Sequence, residues 1–165
     1  MMGKRMRRKI QYLQYGFSGS QRKQQASNGG GAEGFSAENK IGSPTKMHKK
    51  RVVIVDDDTL VRSIFARILS THGFEIVASL SDGEAIIKSL DQMTMMPDII
   101  VLDERMPKMS GVEASKIIRS KYPNISIVFV SADESAKERA KSAGANAFLF
   151  KPVNSKDLVF TLNSL

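Results

Sequence analysis

The 165-residue chain contains no cysteine and no tryptophan. Without thiols it has neither a disulfide framework nor a thiolate metal site. Its two histidines, His48 and His72, fall in different parts of the chain, which excludes an imidazole-based metal centre. No apolar run approaches the roughly 18 residues that a membrane-spanning helix needs. The opening MMGKRMRRKIQYLQYG is basic but lacks the apolar core of a secretory signal. That pattern argues against export and for a cytoplasmic protein without membrane association.

What the chain has in excess is positive charge, a net of +8, and it is unevenly spread. Residues 1–50 carry 11 Lys/Arg against 2 Asp/Glu, whereas residues 51–165 carry 14 against 15, so the excess belongs to the first 50. Eight of the 12 glycines also precede residue 50, and residues 18–50 show no apolar period. Such a stretch cannot bury enough apolar surface to offset chain entropy. The reading is a disordered basic tail over 1–49 and a nearly neutral domain over 50–165. Nucleic-acid or anionic-surface binding would then concern the tail alone. A second reading of residues 4–15 is a short basic helix on an acidic partner. Met47 stands just before the polar lead-in His48-Lys49-Lys50. Residues 1–46 are either a tether or the product of a start placed upstream of the true initiator, Met47. On both accounts the domain folds without them.

From Arg51 the pattern switches between two periods. The β-branched run Val52–Val55 predicts a strand buried on both faces. Residues 59–71 carry Leu60, Ile64, Phe65, Ile68 and Leu69 at helical spacing, with Gly73 as a stop. Further strands are expected over Phe74–Leu80, Ile99–Leu102, Ile125–Val130 and Ala147–Phe150. Further helices are expected after Asp82, which can cap, and over 111–121, 133–143 and 154–165. Five strands alternating with five helices argue for an α/β domain, a parallel sheet covered on both faces.

Ligands of open parallel sheets bind outside the carboxyl ends of the strands. In this chain those ends carry Asp56-Asp57-Asp58, Asp103, Ser131-Ala132 and Lys151-Pro152. Any one of these is ordinary as a cap, a turn or a solvated side chain. Together, at four strand ends, they are hard to assign to caps.

The segments VVIVDDD, PDIIVLDERMPKMSG, IVFVSA and AFLFKP occur in that order. They resemble the receiver domain of two-component response regulators, including single-domain chemotaxis regulators, over residues 50–165. The resemblance implies a flavodoxin-like (βα)5 fold with strand order 2-1-3-4-5. It implies that Asp103 is the phosphoacceptor, attacking a phosphohistidine on a histidine kinase. Asp56, Asp57, Asp103 and the backbone carbonyl of Arg105 would hold Mg²⁺, with Mn²⁺ as a substitute. Asp58 would instead begin the first helix. Lys151 would pair with a phosphoryl oxygen, and the Lys151–Pro152 peptide would be cis. Ser131 would donate its hydroxyl to the phosphoryl group and, with Phe148, act in switching. Three positions depart from the family pattern. Glu104 replaces an apolar residue, Arg105 lies over the acceptor within reach of Asp133, and Phe148 lacks a hydroxyl. Ordinary readings of the three are a solvated Glu104, a solvated Arg105 and a core Phe148.

The expectation is a single-domain response regulator that is not a conventional enzyme. It would catalyse its own phosphorylation and slow dephosphorylation, and switch a downstream protein partner through its fourth helix, fifth strand and fifth helix. Three alternatives differ in class: a relay intermediate that passes phosphate to a histidine phosphotransfer protein, a receiver governing a nucleic-acid-binding tail, and a degenerate interaction module. The intact set of Asp56, Asp57, Asp103, Ser131 and Lys151 argues against the last.

Overall fold

The β-branched runs become strands and the 3.6-period segments become helices in the computed structural model, which describes residues 48–165 and the backbone of Gln11–Tyr12. In chain order the elements are β1 (Gln11–Tyr12), β2 (Arg51–Val55), α1 (Thr59–Thr71), β3 (Glu75–Leu80) and α2 (Gly83–Gln92). They continue with β4 (Ile99–Asp103), α3 (Gly111–Lys121), β5 (Ser126–Ser131), α4 (Ala136–Ser142), β6 (Ala147–Phe150) and α5 (Ser155–Asn163). The sheet order is β1-β6-β5-β4-β2-β3. β2 to β6 are mutually parallel. Counted alone they give the expected order 2-1-3-4-5, with five helices and a flavodoxin-like fold.

Alternation along each strand divides the core in two. Val53, Val55, Ile100, Leu102, Ile127 and Phe129 face one side, where Ile86 and Leu90 of α2, Ile118 of α3 and Ala140 of α4 cover them. Val52, Ile54, Ile99, Val101, Val128 and Val130 face the other, under Phe65 and Leu69 of α1 and Leu158 and Leu162 of α5. With both faces covered, β4 is buried at all five positions, which is why it reads as an unbroken apolar run ending in aspartate.

Caps fix where the helices begin. Asp58 accepts from the Leu60 N–H at 2.8 Å and starts α1. Asp82 accepts from the Ala85 N–H, also at 2.8 Å, and starts α2. Ser110 and Glu113 form a reciprocal capping box on α3. The expected helix over 133–143 is shorter. Asp133 turns its carboxylate onto the Ser135 N–H at 2.9 Å, a local turn that competes with helix, so α4 begins at Ala136.

The amino-terminal tail differs from its reading at one place. Gln11 and Tyr12, expected in a disordered or helical stretch separate from the domain, form β1, antiparallel to β6 in the register Gln11↔Phe148 and Tyr12↔Ala147. An edge strand presents unpaired N–H and C=O groups, and an extended segment of any composition can pair with them. The other readings made for residues 1–47 lie outside the described residues. Among the described residues no helix is long and apolar enough to cross a membrane.

Candidate functional site

β2 and β4 lie side by side, paired from Val52↔Ile99 to Val55↔Leu102, so Asp56 and Asp103 emerge next to each other at the same end of the sheet. β5 and then β6 follow on the β4 side, and Ser131 pairs in register with Phe150, the residue before Lys151. The result is a cleft of about 570 Å³ lined by Asp56, Asp57, Asp58, Asp103, Arg105, Ser131, Ala132, Asp133, Glu134 and Lys151. Every residue expected at the site except Phe148 lines this one cleft. Phe148 lies below it in the core, 2% exposed and edge-to-face with Phe150 at 4.9 Å between ring centres.

Lys151 is the hub. Its Nζ lies 2.8 Å from Asp56 Oδ2 and 2.6 Å from Asp103 Oδ1, and both carboxylates are nearly closed to solvent. Burial raises the Asp103 pKa above the usual aspartate value. The Lys151 ammonium and the Arg105 backbone N–H oppose that rise, while the neighbouring Asp56 charge adds to it. Burial likewise works against the charge on Lys151, but its bonds to Asp103 and Asp56 outweigh it and raise the Lys151 pKa. The Asp58 N–H donates to Asp56 Oδ1 at 2.9 Å, so Asp58 serves the helix start and the placement of its neighbour. The Lys151–Pro152 peptide is cis.

At the cleft rim, Ser131 Oγ accepts from the Asp133 N–H at 3.1 Å. Arg105 donates to Asp133 Oδ2 at 3.0 Å, with its side chain still 76% exposed. Asp133 has a depressed pKa because its carboxylate accepts from the Ser135 hydroxyl first, and then from Arg105 and the Ser135 N–H. Glu104 is not solvated. It is buried, and Arg139 of α4 reaches it at 3.0 Å while also contacting Asp133 at 3.3 Å.

Two residues that sequence reasoning passed over shape this region. Arg139 sits among the lysines of a polar helix, and nothing in its spacing marks it. Gly111 has a signal in its placement, a glycine as the first residue of a helix directly after the Ser110 cap. A Cβ there would lie 2.1 Å from the Asp103 carbonyl oxygen, so the glycine lets α3 close against the end of β4.

The donor set suits a hard divalent cation. Asp56, Asp57 and Asp103 offer oxygen only, and Lys151 is the one ammonium that bridges Asp56 and Asp103. No three acidic or imidazole groups among the described residues form a ready-made cage, because Lys151 stands between Asp56 and Asp103. Arg105, whose carbonyl was expected to be a ligand, stands in the cleft wall.

Residues 52–163 match the family model of the response regulator receiver domain. The chain is 32% identical over 118 residues to the chemotaxis protein CheY of Thermotoga maritima, covering 70% of this chain and 97% of that protein. It is 33% identical over 111 residues to the transcriptional regulatory protein PdtaR of Mycobacterium tuberculosis, covering 67% of this chain and 53% of that protein. The chain thus spans about half the length of PdtaR. Among solved structures, the complex of CheX, CheY, BeF3 and Mg2+ from Borrelia burgdorferi contains a chain that superposes with a TM-score of 0.65 at 28% identity, covering 69% of this chain and 87% of that one. The chain belongs to the response regulator receiver family of two-component systems.

Proposed function

We propose that the chain is a cytoplasmic phosphoacceptor that takes a phosphoryl group from a histidine kinase on Asp103 and alters its binding to a downstream protein. The observation that carries this reading is the bridge from Lys151 to both Asp56 and Asp103 at the floor of the cleft. It sets a buried carboxylate beside an ammonium that can follow negative charge as it moves onto an incoming group. An Asp103 oxygen would form the new bond to phosphorus as the phosphorus–nitrogen bond of the phosphohistidine breaks, and the leaving imidazole would keep the electron pair and take up a proton. Lys151 would hold one phosphoryl oxygen, and the Ser131 hydroxyl would donate to another. Asp56, Asp57, Asp103 and the Arg105 carbonyl would hold Mg²⁺, which supplies positive charge that the side chains lack. Hydrolysis would reverse the state, as water attacks phosphorus and returns Asp103 and orthophosphate. The chain turns over no free metabolite on this reading, so it is a switch rather than a conventional enzyme.

Incubation with acetyl phosphate and Mg²⁺, followed by intact mass measurement, tests the reading. Wild type should gain one phosphoryl group on the peptide containing Asp103, and Asp103→Asn should not. Labelling of that peptide in the variant would remove Asp103 from its role.

A further inference from the structure

The three aspartates after β2 are held in different ways. Asp56 is anchored on every side: its N–H donates to the Leu80 carbonyl at 3.1 Å, its Oδ1 accepts from the Asp58 N–H at 2.9 Å, and its Oδ2 meets Lys151 at 2.8 Å. Asp58 is fixed as the cap of α1. Asp57 lines the cleft with an exposed side chain, and among the described residues its one hydrogen-bond partner is Arg62. Arg62 lies in the first turn of α1. Its Nη1 donates to the Asp56 carbonyl at 2.7 Å and to the Asp57 carbonyl at 3.3 Å, and its Nη2 donates to the Thr59 hydroxyl at 3.1 Å. The first of these carbonyls belongs to the peptide plane before the Asp57 Cα, and the second to the plane after it. A residue has only two soft backbone dihedrals, and they set the angle between those two planes. One nitrogen bonded to both carbonyls therefore fixes the direction in which the Asp57 side chain leaves the backbone.

We propose, resting on the phosphoacceptor reading in which Asp57 helps to hold Mg²⁺, that Arg62 positions Asp57 for the cation through the backbone and not through its charge. Charge and geometry predict opposite signs here. A guanidinium behind a cation site repels the cation, so by charge alone its removal would tighten Mg²⁺ binding. Arg62 is partly exposed, and a high effective dielectric keeps that repulsion weak. By geometry, removal returns backbone freedom to Asp57, and cation binding must then take it away again. Groups that hold metal ligands in place typically contribute about 10–100-fold to metal affinity. Geometry thus sets the direction: without Arg62, Mg²⁺ binds more weakly although a positive charge has gone.

Amide NMR of the full chain across a Mg²⁺ titration tests this, at a temperature where each variant gives a folded spectrum. Arg62→Met keeps a long stem but loses the donors and the charge, and its Mg²⁺ Kd should rise about tenfold. Arg62→Lys keeps the charge and offers one nitrogen to the same two carbonyls, so its Kd should rise by no more than about threefold. A lower Kd in Arg62→Met would overturn the assignment in favour of charge alone, and an unchanged Kd would leave Arg62 a role in folding only. Equal losses in the two variants would overturn the hydrogen-bonded hold as their cause. The phosphoacceptor reading fails in a different way, visible in wild type: no Mg²⁺-dependent shifts at Asp56, Asp57 and Asp103 would overturn that reading and the role of Arg62 with it.

Discussion

Gly111→Ala separates two things that a glycine near a site can do. The added Cβ would sit 2.1 Å from the Asp103 carbonyl oxygen and 3.1 Å from the Glu104 Cα. Carbon and oxygen do not approach closer than about 3 Å, so the end of β4 and the start of α3 must part by about 1 Å. That movement stretches the bond from the Gly111 N–H to the Glu104 carbonyl, now 3.0 Å, worth about 1 kcal/mol. Overpacking of this kind costs roughly 1–3 kcal/mol, and the better helix propensity of alanine returns somewhat less than 1 kcal/mol. The expected net loss is about 2 kcal/mol, measured as a lower urea midpoint at unchanged slope. Gly73→Ala is the matched control. Gly73 has a φ of +88° and nothing within 4 Å of the place a Cβ would take, so the loss there comes from left-handed backbone alone, about 1–2 kcal/mol. The two variants should thus differ little in stability and greatly in function. A shift of about 1 Å at a reacting group can slow reaction by up to two orders of magnitude. Gly111→Ala should therefore take up phosphoryl from acetyl phosphate at least tenfold more slowly than Gly73→Ala, by intact mass over time. Equal rates in the two variants would refute the claim that Gly111 sets the position of Asp103.

Three further outcomes are expected. Because burial raises the Asp103 pKa, its charge costs stability at pH above the folded value, and the cost disappears as pH falls through that value toward the unfolded 3.8. Asp103→Asn should therefore melt higher than wild type at pH 7 and lose that advantage in acid; a lower melting temperature at pH 7 would contradict the sign. Mg²⁺ at ten times its Kd should stabilise wild type by roughly 1.4 kcal/mol, with a weaker effect in Asp57→Ala and an undiminished one in Lys151→Ala, read by thermal melts across a Mg²⁺ titration. Equal Mg²⁺ affinity in wild type and Asp57→Ala would remove Asp57 from the site. Arg139→Ala leaves the buried Glu104 without its 3.0 Å partner and should lower the urea midpoint, but markedly less when Glu104 is already alanine.

The fold was legible because each parallel strand is an apolar run bounded by polar turns, and four of the five helices, α4 excepted, start at a side-chain cap such as Asp58, Asp82 or Ser110 with Glu113. The cleft was legible because the topology gathers strand ends, so Asp56, Asp103, Ser131 and Lys151 could be brought together from their positions alone. Pairings across the rim were legible only in part. Arg105 with Asp133 was foreseeable, since both follow strand ends that are neighbours in the sheet. Arg139 with Glu104 was not, because it depends on how a seven-residue helix is turned against the sheet. The pairing of Gln11–Tyr12 with β6 left no trace in composition, since an edge recognises backbone and most side chains are compatible with it.

Formal charge explains why the cleft needs more than Lys151. Asp56, Asp57 and Asp103 set three negative charges against one ammonium, and Arg105 is already engaged by Asp133 and Glu104. That leaves a formal excess of two negative charges in the cleft, while the raised Asp103 pKa comes first from burial and to a lesser degree from Asp56. On the proposed reading a phosphoryl group replaces the single charge of Asp103 with about two, and Lys151 cannot keep both carboxylate contacts while turning to a phosphoryl oxygen. A dication offsets the whole excess before transfer and most of it afterward. With a cation held by Asp56, Asp57 and Asp103, Lys151 would be able to leave Asp56 for a phosphoryl oxygen. Cation binding and phosphoryl binding should therefore reinforce each other, each raising the affinity for the other by the same factor. The ordering that follows is one in which Lys151 holds the two aspartates apart from solvent until the cation relieves it of one of them.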